Sequence, residues 1–199
     1  MLMDRQVYPA NGYRRRIWRE MRDLLSDLTP MSRILDVGAG DGWFALSLEH
    51  AGACDAVTAI DVLARPKPHH RVEIYDGGQL PFEDAVYDLV YAVDVVHHAE
   101  EPAKLLGEMA RCTRRYLLLK DHTWRSKLGW LTLAARDELG NRRFGVRCVY
   151  RYQRAWEWDV VLRMSHLKRL NLIYPLNCHV GPFGRLANTS EFLSLWERV

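Results

Sequence analysis
Near the start of the chain, apolar residues recur with helical spacing. Ile17, Met21, Leu24, Leu25 and Leu28 fall on one face of a 3.6-residue period and predict a helix over 12 to 28, with Thr29 and Pro30 as its stop. The pattern then shortens. RILDV (33–37), AVTAID (56–61), RVEIYD (71–76), YDLVYAVD (87–94) and YLLLKD (116–121) are brief apolar runs of strand length, and four of the five end on an aspartate. Helical patterns intervene at Phe44 to His50 and at 101 to 112, where Pro102 sits near a first helical position ahead of Leu105, Leu106 and Met109.

Beyond the fifth strand, Trp124, Leu128, Leu131, Ala135 and Leu139 have helical spacing, and Trp156, Val160, Met164 and Leu167 predict one apolar core stripe on a further helix. KRLNLIYP (168–175) and EFLSLWERV (191–199) read as the last two strands. Alternation of this kind predicts an α/β fold, a doubly wound and mostly parallel sheet with helices on both faces and right-handed crossovers. Ligands of such sheets bind at the carboxyl ends of the strands, which is where Asp36, Asp61, Asp76, Asp94 and Asp121 fall.

Composition narrows the class. The 199 residues carry no Pro, Gly or Ser linker, so one domain is expected. Residues 1–30 would form a helical cover and 123–155 an insertion or lid. No apolar stretch has signal-peptide or membrane-spanning character, so a soluble, cytoplasmic protein is expected. Cys54, Cys112, Cys148 and Cys178 form no Cys-x-x-Cys pair and are expected to be buried free thiols. His69 and His70 lie in a proline-rich loop, and no cluster shows metal-ligand spacing, so no metal is expected.

The densest signal is ILDVGAGDG at 34–42. Gly38, Gly40 and Gly42 let the chain turn sharply between strand and helix and let a ligand lie against the backbone. A dinucleotide fingerprint requires a third glycine at position 43, which is Trp43. Asp36 and Asp41 flank the turn and would repel a pyrophosphate, so a cationic or zwitterionic ligand is expected.

With Asp61 closing the second strand and YDGGQLPFEDAVYDLVYAVDVVHHAEEP at 75–102, this turn resembles the class I, Rossmann-like methyltransferases that use S-adenosylmethionine, in particular their small-molecule and quinone-type group. The resemblance covers residues 33 to 122. It implies a seven-stranded sheet with an antiparallel last strand. It also implies S-adenosylmethionine as cofactor, with Gly38, Gly40 and Gly42 under its methionine and ribose, Asp61 at the ribose hydroxyls and Asp76 by the adenine; Asp36, Ala39, Val62, Gly77 and Asp94 are further candidate cofactor contacts, and Asp94 is as well read as a cap.

His97, His98 and His122 follow the fourth and fifth strands and should face the same sheet edge. His98 and His122 are the candidate general bases, since imidazole titrates near neutrality, and His97, Lys120 and Asp121 are candidate substrate contacts. Net charge is +3, yet residues 140–155 hold five arginines and no acid, which leaves −2 for the rest. Arg143 and Arg147 in that segment are therefore read as a lid that recruits an anionic acceptor. One short basic stretch does not support a nucleic-acid partner. The expected activity is methyl transfer to a small or lipid-like acceptor. A noncatalytic binding or scaffold protein of the same fold is the alternative, with a nicotinamide-dependent oxidoreductase behind it.

Overall fold
A computed structural model describes residues 11–141, 148–182 and 184–199. Helix α1 (Gly12–Leu25) starts where the Asn11 side chain accepts the Arg14 N–H at 2.9 Å, capping one of the free first-turn donors. Its buried face is Ile17, Trp18, Met21 and Leu25. Strand β1 (Ile34–Val37) is buried throughout and runs through the glycine turn into α2 (Trp43–His50). There follow β2 (Val57–Asp61), β3 (Glu73–Ile74), β4 (Tyr87–Val93), a single 3-10 turn at Val96–His98, and α3 (Pro102–Cys112), which passes directly into the long strand β5 (Thr113–Trp124). The chain ends with α4 (Lys127–Asn141), β6 (Gln153–Arg154), α5 (Trp158–Met164), β7 (Leu167–Ile173), α6 (Gly184–Asn188) and β8 (Glu191–Arg198).

The sheet runs β3-β2-β1-β4-β5-β8-β7, with the short β6 beside β5. Strands β1 to β5 pair in parallel, while β8 is antiparallel to both β5 and β7. This is the expected doubly wound sheet; β6 adds an eighth strand to the seven expected. Period-2 alternation sends Ile34, Tyr91, Leu118 and Leu195 to a core shared with α1 and α2, and Leu35, Val90, Leu117 and Trp196 to a second core with α3 and α5. Because β2 and β4 leave β1 on opposite sides, a crevice opens at the carboxyl ends of β1 and β4.

One sequence expectation fails in the last third. On α5 the buried residues are Trp158 and Leu162, whereas Val160 is 59% and Met164 78% exposed. The expected stripe of Trp156, Val160, Met164 and Leu167 spans three elements, because the helix begins only at Trp158 and Leu167 already belongs to β7. In the preceding segment Trp124 ends β5, and Leu128, Leu131 and Leu139 face outward from α4. That helix turns Leu133 and Asp137 inward instead. Of the cysteines, all free, Cys112 and Cys178 are buried and Cys54 and Cys148 only half-buried.

Candidate functional site
The crevice is a cavity of 1270 Å³ whose walls come from the ends of β1, β2, β3, β4 and β5, with α1 and α4 over its sides. On the β1–β2 side the backbone shapes it. Gly38 and Ala39 both donate to the Ile60 carbonyl at 2.9 Å, which ties the turn to β2. Gly40 (φ 60°) has nothing within 4 Å of where a Cβ would lie, so this residue presents bare backbone to open space. A Cβ at Gly38 would instead fall 2.4 Å from a Val95 methyl. Gly42 is left-handed for a different reason: it starts α2 against His70 and does not line the cavity, so the expected ligand contact there is a packing position.

Asp61 accepts the Gly40 N–H at 2.7 Å and the Leu63 N–H at 2.9 Å, one on each carboxylate oxygen, which fixes it at the cavity wall with lone pairs to spare. Asp76 receives the Gly78 N–H at 2.8 Å and lines the cavity beside Val62 and Gly77. Asp36 lies beneath the turn. Burial, with the Asp61 and Asp41 charges nearby, raises its pKa to about 7, and its Oδ2 has no hydrogen-bond partner. Among the described residues, eight acids line the cavity (Asp36, Asp41, Asp61, Asp76, Asp94, Glu100, Glu101, Asp137) against four Arg or Lys residues, so their field favours a cationic ligand.

The opposite wall is made of side chains. Lys120, fully buried, donates to Glu191 at 2.6 Å and also to Asp94 and Tyr13. Burial alone would lower its pKa, but the Asp94 and Glu191 charges prevail and raise it. Tyr13 in turn donates to Asp94 at 2.8 Å, which ties α1 to the end of β4. The register β5–β8 sets His122 opposite Glu191, whose carboxylate stands 3.0 Å from His122 Nδ1, 2.7 Å from Arg136 and 2.8 Å from His179. His122 Nε2 lies 3.6 Å from Asp94.

A second polar group adjoins the first. His97 Nδ1 lies 2.6 Å from Asp121, which also accepts the Val96 and His122 N–H groups. Burial opposes charging His97, but Asp121 and Asp137 outweigh it and lift its pKa to about 10. Burial and the neighbouring His97 lower His98 to about 4, so His98 is neutral near pH 7. Tyr152 donates to Asp137 at 2.6 Å.

His97, His98 and His122 thus come together on the cavity wall, as their strand-end positions suggested. Lys120 and Asp121 do not reach it. Both were expected at a strand end open to substrate, but β5 continues to Trp124 and buries them completely, so they hold wall residues in place. Arg143 and Arg147 lie outside the described residues. Glu191, Asp137, Arg136 and His179 were not singled out from sequence. Asp137 leaves one trace, an acid four positions after the inward Leu133, and Glu191 another, an acid opening an apolar strand run.

Among the described residues, histidines, acids and one cysteine form four groups that could hold a metal: His97, His98 and Asp137; His97, Asp121 and His122; Cys178, His179 and Glu191; and Asp94, His122 and Glu191. No helix among them is long and apolar enough to cross a membrane.

Residues 35–116 match the family model described as a methyltransferase domain. The chain is 31% identical over 119 residues to a sarcosine/dimethylglycine N-methyltransferase of Halorhodospira halochloris, a match covering 53% of this chain and 42% of that protein. The chain spans less than two thirds of the length of the curated relatives it matches. In structure it is similar to the geranyl diphosphate C-methyltransferase of Streptomyces coelicolor A3(2), solved with Mg2+, geranyl diphosphate and S-adenosyl-L-homocysteine (TM-score 0.65, 13% identity, covering 93% of this chain and 80% of that one). A geranyl diphosphate methyltransferase solved with SAM has a TM-score of 0.66 at 14% identity, covering 96% of this chain and 92% of that one. The architecture is that of methyltransferase folds.

Proposed function
We propose that this chain is an S-adenosylmethionine-dependent methyltransferase acting on a small-molecule acceptor. The observation that carries the reading is Gly40: bare backbone turned to open cavity, with Asp61 bonded to it from the β2 side. The matched methyltransferase domain covers this turn. The cofactor's ammonium and sulfonium charges suit an acid-rich cavity, Asp61 retains lone pairs for ribose hydroxyls, and Asp76 stands further along the same wall for the adenine side.

When bound, the cofactor supplies an electrophilic methyl group. The chain's contribution is to hold the acceptor nucleophile about 3 Å away in line and to exclude water, which α1 and α4 do from the two sides. His122 and His98 border the acceptor end, and His122, set between Asp94 and Glu191, is the better anchored proton acceptor. Acceptors of the relatives range from an amine to a prenyl diphosphate by name, so an anionic or lipid-like acceptor recruited by Arg143 and Arg147 stays part of the proposal.

Calorimetry with S-adenosylhomocysteine tests the reading. Wild-type protein is expected to bind it, and Asp61→Ala to lose about 1.5–3 kcal/mol of that binding, the range for hydrogen bonds to a charged group. A folded wild-type protein that does not bind the product cofactor overturns the proposal.

A further inference from the structure
We propose that His97, His98 and Asp137 form a binding site for a divalent transition-metal ion at the acceptor end of the cavity. The argument starts from His97. It is 1% exposed, and its Nδ1 is engaged by Asp121 at 2.6 Å, while its Nε2 is buried with no hydrogen-bond partner. A carboxylate behind an imidazole in this way fixes the tautomer and aims the other nitrogen's lone pair forward, the usual arrangement behind a metal-ligating histidine. In front of that nitrogen stands Asp137 Oδ1, at 3.6 Å, and the same oxygen is 3.8 Å from His98 Nε2. These separations are too long for hydrogen bonds. They approach the spacing of about 3.3 Å between neighbouring donors around an ion with bonds of about 2.0 Å.

Asp137 is itself anchored, with Oδ2 accepting from Tyr152 and Oδ1 turned to the two imidazoles. Two imidazoles and one carboxylate are a donor set for zinc, iron, cobalt or nickel rather than for magnesium or calcium, which take oxygen ligands. Three protein ligands leave coordination positions open toward the cavity, where an oxygen or nitrogen of the acceptor can bind.

The neighbouring groups fit an ion less well. Asp121 already accepts from His97, His122 and Val96, and Glu191 is neutralised by Lys120 and Arg136, whose charges repel a cation there. Nothing in the sequence announced this site, because its ligands stand at positions 97, 98 and 137 and meet only through α4.

The competitor for the His97 lone pair is a proton, which would turn the same residues into an imidazolium held between Asp121 and Asp137. Titration of chelator-treated protein with Co2+ and Zn2+, followed by calorimetry and by cobalt visible absorption, separates the two. One equivalent is expected, lost in His97→Gln. Asp121→Asn, behind the ligand, is expected to weaken binding by about 10- to 100-fold. Asp137→Asn, isosteric, and His98→Gln, at a partly exposed ring, guard against misfolding of the His97 variant and should also lose the ion. His166→Gln, at an exposed histidine, should change nothing. Absence of a stoichiometric site, or equal binding in all variants, overturns the proposal. The titration needs no cofactor, so its failure is separate from failure of methyl transfer.

Discussion

The two ends of the cavity are held by different forces. At the β1–β2 end the wall is shaped by the glycine turn, with Gly38 and Ala39 bonded to the Ile60 carbonyl and Gly40 to the Asp61 carboxylate. At the β4–β5–β8 end it is a lattice of ionised side chains, with Lys120, Asp94, Glu191, Arg136 and His179 sharing hydrogen bonds. Backbone bonded to backbone keeps its shape without a fixed charge balance. A buried charge lattice holds only while every member is present, since removal of one leaves another uncompensated in low dielectric. The β1–β2 end should therefore tolerate single substitutions as local losses, and the β4–β5–β8 end should not.

The largest effect is expected from Lys120→Met. It removes the cation bonded to both Asp94 and Glu191, and should cost about 3–5 kcal/mol of folding stability in urea denaturation, the range for breaking a buried pair. Stability within 1 kcal/mol of wild type, on the order of an exposed pair, would put both walls on the same footing.

A smaller pair of effects tests the other wall. Gly40→Ala places a methyl group in open space, so the fold should lose only about 1–2 kcal/mol for the left-handed backbone while S-adenosylhomocysteine binding is blocked. Gly38→Ala, driven into Val95, should instead lower the melting temperature further. Equal melting temperatures for the two, measured by scanning calorimetry, would refute this division of roles.

The order of legibility follows the same physics. A glycine turn between strand and helix is encoded within nine consecutive residues, so ILDVGAGDG was legible as a strand-to-helix turn from sequence alone. The charge lattice draws on residues 13, 94, 120, 136, 179 and 191, which meet only once the β5–β8 register is formed. Lys120 and Asp121 were visible as polar residues ending an apolar run, but periodicity could not show that β5 runs on to Trp124 and seals them in. On α5 the periodicity pointed to one stripe, through Val160 and Met164. The structure buries Trp158 and Leu162 because the helix begins later than the periodicity implied.

The smallest effect sharpens the comparison at its boundary. Asp36 belongs to the backbone wall yet is buried, with its pKa raised to about 7 from an unfolded value of 3.8. Between those values the unfolded chain has released this proton and the native protein has not. This group's contribution to stability is therefore full below pH 3.8, falls as pH rises through about 7, and is flat above. A cationic ligand should pull its pKa down. Binding of S-adenosylmethionine, which carries the sulfonium cation, is then expected near pH 6.5 to release a fraction of a proton, read by calorimetry in buffers of different ionisation enthalpy. Asp36→Asn should abolish that release, and proton release that persists in the variant would assign it to another group.

The strand order carries a consequence for how the molecule assembles. Strand β7 precedes β8 in the chain but lies outside it in the sheet, so β7 has no partner until β8 arrives between it and β5. Before that moment the β5 edge from Tyr116 to His122 presents unpaired N–H and C=O groups along an apolar run, the kind of edge that other chains extend. The β7–β8 hairpin is thus a protective cover as well as the source of Glu191. A state that lacks it has an exposed edge and lacks the Glu191 carboxylate at the same time, whereas the glycine turn three strands away draws its hydrogen bonds from Ile60 and Asp61.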